Sequence, residues 1–218
     1  MRKNKVPEPT VARLVQYSHT LENLCRQGTT IVSSEEIAHG AGVFSSQVRK
    51  DLACFGEFGT RGLGYNVREL LDQTRTILGV NRPWPVIMVG AGKLARALAT
   101  YRGFAERNFD IVAVFDNDLT KIGGKIGQID IHPLETLPAI VGANGVVIGI
   151  ITVPAGAARP TARLMVDNGL TAILNFARVH IEVPEHVVLH NVDLSAEIGI
   201  LTFKLCHPFV SFCHDPPA

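Results

Sequence analysis

No excess of charge of one sign marks this 218-residue chain: 21 Lys and Arg stand against 20 Asp and Glu, a formal net charge of +1. The overall balance announces neither a nucleic-acid nor a membrane partner, so any such surface must be local. Long apolar runs are missing too. The longest, Val146 to Val153, is interrupted by Gly149 and falls far short of the roughly 20 residues that cross a bilayer. The opening MRKNKVPEPT lacks the apolar stretch of a secretory signal. Cysteine is scarce. Cys25, Cys54, Cys206 and Cys213 form no Cys-x-x-Cys pair, which fits reduced thiols in a cytoplasmic protein better than a disulfide framework. Cys206-His207 followed by Cys213-His214 could in principle surround zinc. A surface tail is the plainer reading, and no metal is expected. With 46% hydrophobic and 19% charged residues, disorder is excluded, and the length suits one large domain or two small ones.

What is present divides at Gly79 to Pro85, where two prolines bracket the single tryptophan and no helix can continue. Before it, Val11, Leu14, Val15, Leu21, Leu24 and Cys25 recur at helical spacing, predicting a helix over 10–27. Ser33 and Glu36 spell a capping box for a short second helix ending near His39. After the turn Gly40-Ala41-Gly42, Ser45 is expected to cap a third helix with Val48 and Leu52 on its buried face. Two short helices across a glycine turn make a helix-turn-helix. The glycines at 56, 59, 62 and 64 then predict a β-hairpin, which in this place is a wing. Beyond the break, Val86–Val89, Ile111–Phe115, Val146–Ile151 and Ala172–Leu174 read as buried strands. Helical stretches around 94–106, 134–142 and 155–168 separate them, which is the βαβ alternation of a parallel sheet. A last helix over Leu194–Leu205 carries Leu194, Ile198, Leu201 and Leu205 on one stripe, which a second subunit would cover.

The first of these strands runs into Gly90-Ala91-Gly92-Lys93-Leu94-Ala95, a G-x-G-x-x-A form of the dinucleotide fingerprint. The first glycine permits the turn, the second lets backbone approach a pyrophosphate, and the third small residue allows close helix packing. Asp116 ends the next strand, 21 residues past Ala95. A carboxylate there accepts the adenosine ribose hydroxyls and repels a 2′-phosphate, favouring NAD over NADP. Thr152-Val153-Pro154 and Asn175-Phe176 follow later strands, at the edge where a ligand lies, and suit an apolar wall more than a reaction centre. His132, His180, His186 and His190 have no partner spacing, so no acid, base or nucleophile stands out. On the third helix Arg49 and Lys50 can donate to guanine, Gln47 can bond adenine, and Ser45 and Ser46 suit phosphates. Arg61 at the wing tip suits a narrow minor groove. A solvated helix face and an ordinary hairpin are the competing reading of these charges.

The run from Gln47 to Tyr65, together with Gly90–Ala95, Leu174–Ala177 and Asn191–Leu194, resembles the signature of the Rex family of redox-sensing transcriptional repressors over about residues 6–205. The resemblance implies an α/β chain in three parts. These are a winged-helix DNA-binding domain over 1–80, a Rossmann-like NAD(H)-binding domain over 81–192 and a helix and tail over 193–218 exchanged between subunits. It implies a cytoplasmic homodimer that is not an enzyme, binds a palindromic operator and leaves it when NADH replaces NAD. Arg49 and Lys50 then fall on the recognition-helix pair, Arg61 on the wing arginine and Asp116 on the ribose carboxylate. Tyr101 falls on the tyrosine near the nicotinamide, and Asp193, ahead of Leu194, on the aspartate that meets the partner subunit. Four positions depart from the pattern. His19 stands where the family commonly has arginine, Cys54 replaces a tyrosine, Arg178 a proline and Ala95 a glycine. His19 would pair only when protonated, making the coupling between cofactor and DNA weaker or pH-dependent. The alternatives from other classes are an NAD-dependent oxidoreductase with an N-terminal assembly domain and a CoA- or nucleotide-binding module.

Overall fold

A computed structural model describes residues 6–60 and 62–208, in two compact units, the first running to Arg82 and the second spanning Pro83–Cys206. The first unit begins with α1 (Glu8–Arg26), two residues earlier than its periodicity predicts because extended Pro7 serves as its N-cap. Leu14, Tyr17 and Leu21 form its buried stripe. Strand β1 (Ile31–Val32) leads into α2 (Ser34–Ala41), whose start is the predicted Ser33/Glu36 capping box and whose end is left-handed Gly42. Helix α3 (Ser45–Ala53) departs from expectation at its cap. Phe44, not Ser45, is the N-cap, no side chain caps it, and Ser45 is already helical. Strand β2 (Tyr65–Asn66) pairs antiparallel with β1. Helix α4 (Val67–Leu78) is not among the predicted elements, although Val67, Leu70, Leu71 and Thr74 recur at helical spacing between its Asn66 cap and left-handed Gly79. Leu14, Leu21, Ile37, Val48, Leu52 and Leu70 meet in one core.

The predicted hairpin over 56–65 is short. Among the described residues the Thr60–Gly64 bridge closes it, and a two-residue ladder then joins Tyr65–Asn66 to Ile31–Val32. Gly64 explains the switch: its φ is +85° and a β-carbon would lie 2.5 Å from Val32 O, so a bare backbone is needed where the chain crosses β1.

The second unit is a seven-stranded sheet of β3 (Trp84–Val89), β4 (Phe109–Asp116), β5 (Lys125–Ile126), β6 (Ile129–Pro133), β7 (Ile148–Ile151), β8 (Ala172–Asn175) and β9 (Val188–Asn191). Its order is β5-β6-β4-β3-β7-β8-β9, parallel except where β5 meets β6. One face buries Ile87, Val89, Phe115 and Ile151 against α7 (Leu137–Asn144) and α8 (Ala155–Asp167). The other holds Val86, Met88, Val114 and Ile150 against α5 (Lys93–Ala99) and α6 (Arg102–Ala105). The helix expected over 94–106 is thus broken at Thr100-Tyr101, where Tyr101 is extended and its ring lies over Gly103, leaving no room for a β-carbon there. Strands β5, β6 and β9 are not among the predicted elements: β5 has two residues, and β6 and β9 mix polar with apolar side chains instead of forming an apolar run. Helix α9 (Leu194–Cys206) forms as predicted, with Leu194, Ile198, Leu201 and Leu205 all exposed.

Candidate functional site

In a doubly wound sheet the ligand crevice lies where the strand order reverses, beyond the carboxyl ends. Here that point is between β3 and β7, since β4 and β6 continue to one side and β8 and β9 to the other. A cavity of about 640 Å³ opens there, lined by Val89, Gly90, Gly92, Asp116, Lys121 and Thr152 among others. Gly90, with φ +105°, lets the chain turn out of β3, and any β-carbon would strike the backbone of Thr152 and Val153. Thr152 locks the crossing by donating to Val89 O at 3.0 Å and Gly90 O at 2.8 Å. At Gly92, by contrast, a β-carbon would meet nothing within 4 Å, so the backbone there faces open space that a ligand can enter. Ala95 packs fully buried behind the loop.

Asp116 organises the opposite side. Its Oδ2 accepts the Ala91 amide at 2.7 Å and Lys121 Nζ at 3.0 Å, and its Oδ1 accepts the Asp118 amide at 2.9 Å. Burial pushes the carboxyl up, but the two amides and Lys121 outweigh it and hold Asp116 below the usual carboxylate range. An ionised acid with acceptor capacity left on Oδ1 can take a ribose hydroxyl. Lys121, also 3.4 Å from Asp118, was missed in the sequence. Its only signal is Asp-x-Asp-x-x-Lys running from Asp116 to Lys121.

Val153 and Pro154 line the cavity, while Ala91, Lys93, Leu94, Tyr101, Asn175 and Phe176 are not among its lining residues. Asn175 is fully buried and spent internally: it donates to Asn191 Oδ1 at 2.8 Å and Ala177 O at 3.0 Å, and accepts from the Ala177 amide. Its part is to shape the loop. Tyr101 is 58% exposed and packs edge-on against Phe104. Asp193 caps α9 by accepting the Ser195 amide and hydroxyl, bonds that hold its carboxyl below the ordinary range, and Arg178 stands 3.5 Å away.

In the first unit α3 presents Ser46, Arg49 and Lys50 to solvent, while Ser45 and Gln47 are half-buried. Arg49 is tethered to α2, donating to Ser34 Oγ at 2.7 Å and Glu35 Oε1 at 3.2 Å. Gln47 donates to Asp51 at 2.8 Å, which commits one of the amide hydrogens a base contact would use. Arg61 lies outside the described residues, as do Cys213 and His214. His19 is half-buried on α1. Among the described residues no three metal-ligating side chains cluster, and no helix is long and apolar enough to cross a membrane.

Sequence reading missed Asp51 altogether. It is 1% exposed and accepts from Thr10, Arg13, Tyr17 and Gln47. Burial pushes its carboxyl up, but the bonds from Arg13, Tyr17 and Gln47 together hold it below the ordinary range. The Tyr17 phenol is driven far up, first by burial and then by the bond to Asp51. Asp51 could have been noticed as a carboxylate between Val48 and Leu52 on the buried face of its helix.

Comparison with known proteins agrees with this architecture. Residues 5–53 match the family described as "Putative DNA-binding protein N-terminus", and 81–179 match "CoA binding domain". The chain is 58% identical to the redox-sensing transcriptional repressor Rex of Pelotomaculum thermopropionicum over 94% of its own length and 96% of that protein's. With the Rex of Carboxydothermus hydrogenoformans it shares 55% identity over 94% and 99%. A crystal structure of RSP with beta-NAD+ and operator DNA superposes with a TM-score of 0.88 at 35% identity, covering 94% of each chain. RSP with beta-NADH superposes at 0.84 and 33%, covering 93% of this chain and 95% of that one. Shared sequence across both units and a shared fold place this chain in the Rex family of redox-sensing transcriptional repressors.

Proposed function

We propose that this chain is a cytoplasmic, homodimeric repressor that holds a palindromic operator and releases it when NADH binds. The observation that carries the reading is the cavity at the switch point, with an ionised carboxylate on one side and an unfilled glycine backbone on the other. Asp116 would accept the adenosine ribose, the Gly90–Gly92 backbone would lie along the pyrophosphate, and Thr152, Val153 and Pro154 would wall the nicotinamide. The cofactor supplies one chemical variable, the positive charge that oxidised nicotinamide carries and the reduced ring lacks. Burying that charge in an apolar site is costly, so the two forms differ in affinity for a closed arrangement, as any switch requires. Tyr101, Asn175 and Phe176 shape the neighbourhood of this wall.

Residues 1–80 would read DNA through Ser45, Ser46, Arg49 and Lys50, with Gln47 contributing its free amide hydrogen and Arg61 entering the minor groove. Residues 81–192 would hold the cofactor. Residues 193–218 would form the arm exchanged between subunits, since the apolar residues of α9 are exposed along its length. His19 and Asp193 are the positions through which closure would be felt.

Fluorescence anisotropy with a labelled palindromic duplex, titrated with NADH and then NAD at one salt concentration, tests the proposal. NADH is expected to release the duplex at concentrations where NAD does not. Binding indifferent to both would remove the sensing half of the reading.

A further inference from the structure

A nine-residue helix resting on two apolar side chains is poorly fixed about its own axis. Helix α3 buries only Val48 and Leu52 as hydrophobic anchors, and hydrophobic contact is non-directional. Yet its exposed base-reading donors must meet base edges in a set geometry, and a small rotation would carry Arg49 and Lys50 off register together. The Arg49 side chain that tethers α3 to α2 is exposed; the buried directional restraint is Asp51. Oδ1 accepts Thr10 at 3.2 Å, Arg13 Nη2 at 2.8 Å and Gln47 at 2.8 Å; Oδ2 accepts Arg13 Nε at 2.6 Å and Tyr17 at 2.8 Å. Thr10, Arg13 and Tyr17 are spaced three and four apart, so one face of α1 supplies all three. Arg13 is bidentate, which fixes angle as well as distance.

Resting on the DNA-binding reading above, we propose that Asp51 is a positioning residue for sequence recognition: clamped by Thr10, Arg13 and Tyr17 of α1, it sets the rotation of α3 and of Gln47 on it. A buried ion pair is weak evidence for stability, because apolar residues of equal volume usually serve as well. Its directional bonds supply what apolar packing cannot. Sequence discrimination therefore depends on α1, an element that carries none of the expected base-reading residues, whereas attraction to the phosphate backbone does not.

The test uses the full chain. A duplex is selected from a random pool by the wild-type protein, and anisotropy compares it with a scrambled duplex of equal length across a salt series. Tyr17→Phe keeps the ring and removes one bond to Asp51; Arg13→Lys keeps the charge and removes the fork. In both variants, shown folded by circular dichroism, the affinity ratio of selected to scrambled duplex is expected to fall about tenfold, the size of one good base contact. Scrambled-duplex affinity and the salt slope, which count phosphate contacts, should stay unchanged. Equal weakening on both duplexes, as loss of folded protein produces, or an unchanged ratio, overturns the proposal while leaving the DNA reading intact. Failure of the wild type to enrich any duplex overturns the DNA reading, and this proposal with it.

Discussion

Asp51 and Asp116 are the two buried charged side chains among the described residues, one in each unit. Each is held ionised by a basic partner and by further donors. They differ in what is left over. Five hydrogen bonds close on the two oxygens of Asp51, and nothing outside its own unit is needed to satisfy it. Asp116 has a single hydrogen bond from a described residue on Oδ1 and stands on a cavity wall. A saturated carboxylate organises its own fold, and an undersaturated one at a cavity is poised for a ligand.

Removing each acid breaks the comparison in opposite directions. Asp51→Ala leaves half-buried Arg13 without its counterion and buried Tyr17 without its acceptor, and should destabilise the first unit by about 3 to 5 kcal/mol, measured by urea denaturation. Asp116→Ala should lower NADH affinity by about 1.5 to 3 kcal/mol, the worth of hydrogen bonds to a charged group. Calorimetry would check it, and duplex affinity without cofactor should be retained. Lys50→Ala should cost about 1 to 3 kcal/mol of operator affinity with NADH binding intact, since Lys50 is exposed and makes no contact of the kind that fixes Asp51; a gel-shift series reads this. The smallest effect is acid sensitivity. Because the folded-state values of Asp51 and Asp116 both lie below the ordinary ones, their contribution is complete above the unfolded value of about 4. It is lost as pH falls through the folded values. Stability should be level from neutral pH to about 5 and decline below about 4, with a shallower decline in Asp51→Asn.

Both units were legible where a local signal existed. The Ser33/Glu36 box, the strands around Val86–Val89 and Ile111–Phe115 and the glycines at 90 and 92 each state their own conformation. What stayed hidden was long-range. Asp51 looks like one more polar residue until α1, some 40 positions away in sequence, brings Thr10 and Arg13 to it. Asn175 was placed by its strand end, but its amide turned inward to Asn191. The hairpin is closed where its glycines point, at Thr60–Gly64, but the pairing of Tyr65 with Val32, across two intervening helices, was not legible. Ser45 has the chemistry of a cap, but the turn after Gly42 starts the helix one residue sooner.

The bare flank of α9 has a consequence for how the protein exists in a cell. Six large apolar side chains from Leu194 to Leu205 are exposed, so the subunit exchange proposed above would tie folding to abundance. The thermal midpoint should climb with protein concentration, as mass action requires of mutually completed subunits. Chains released from the ribosome singly would be the most vulnerable to proteolysis, and scarcity alone would then thin the repressor further.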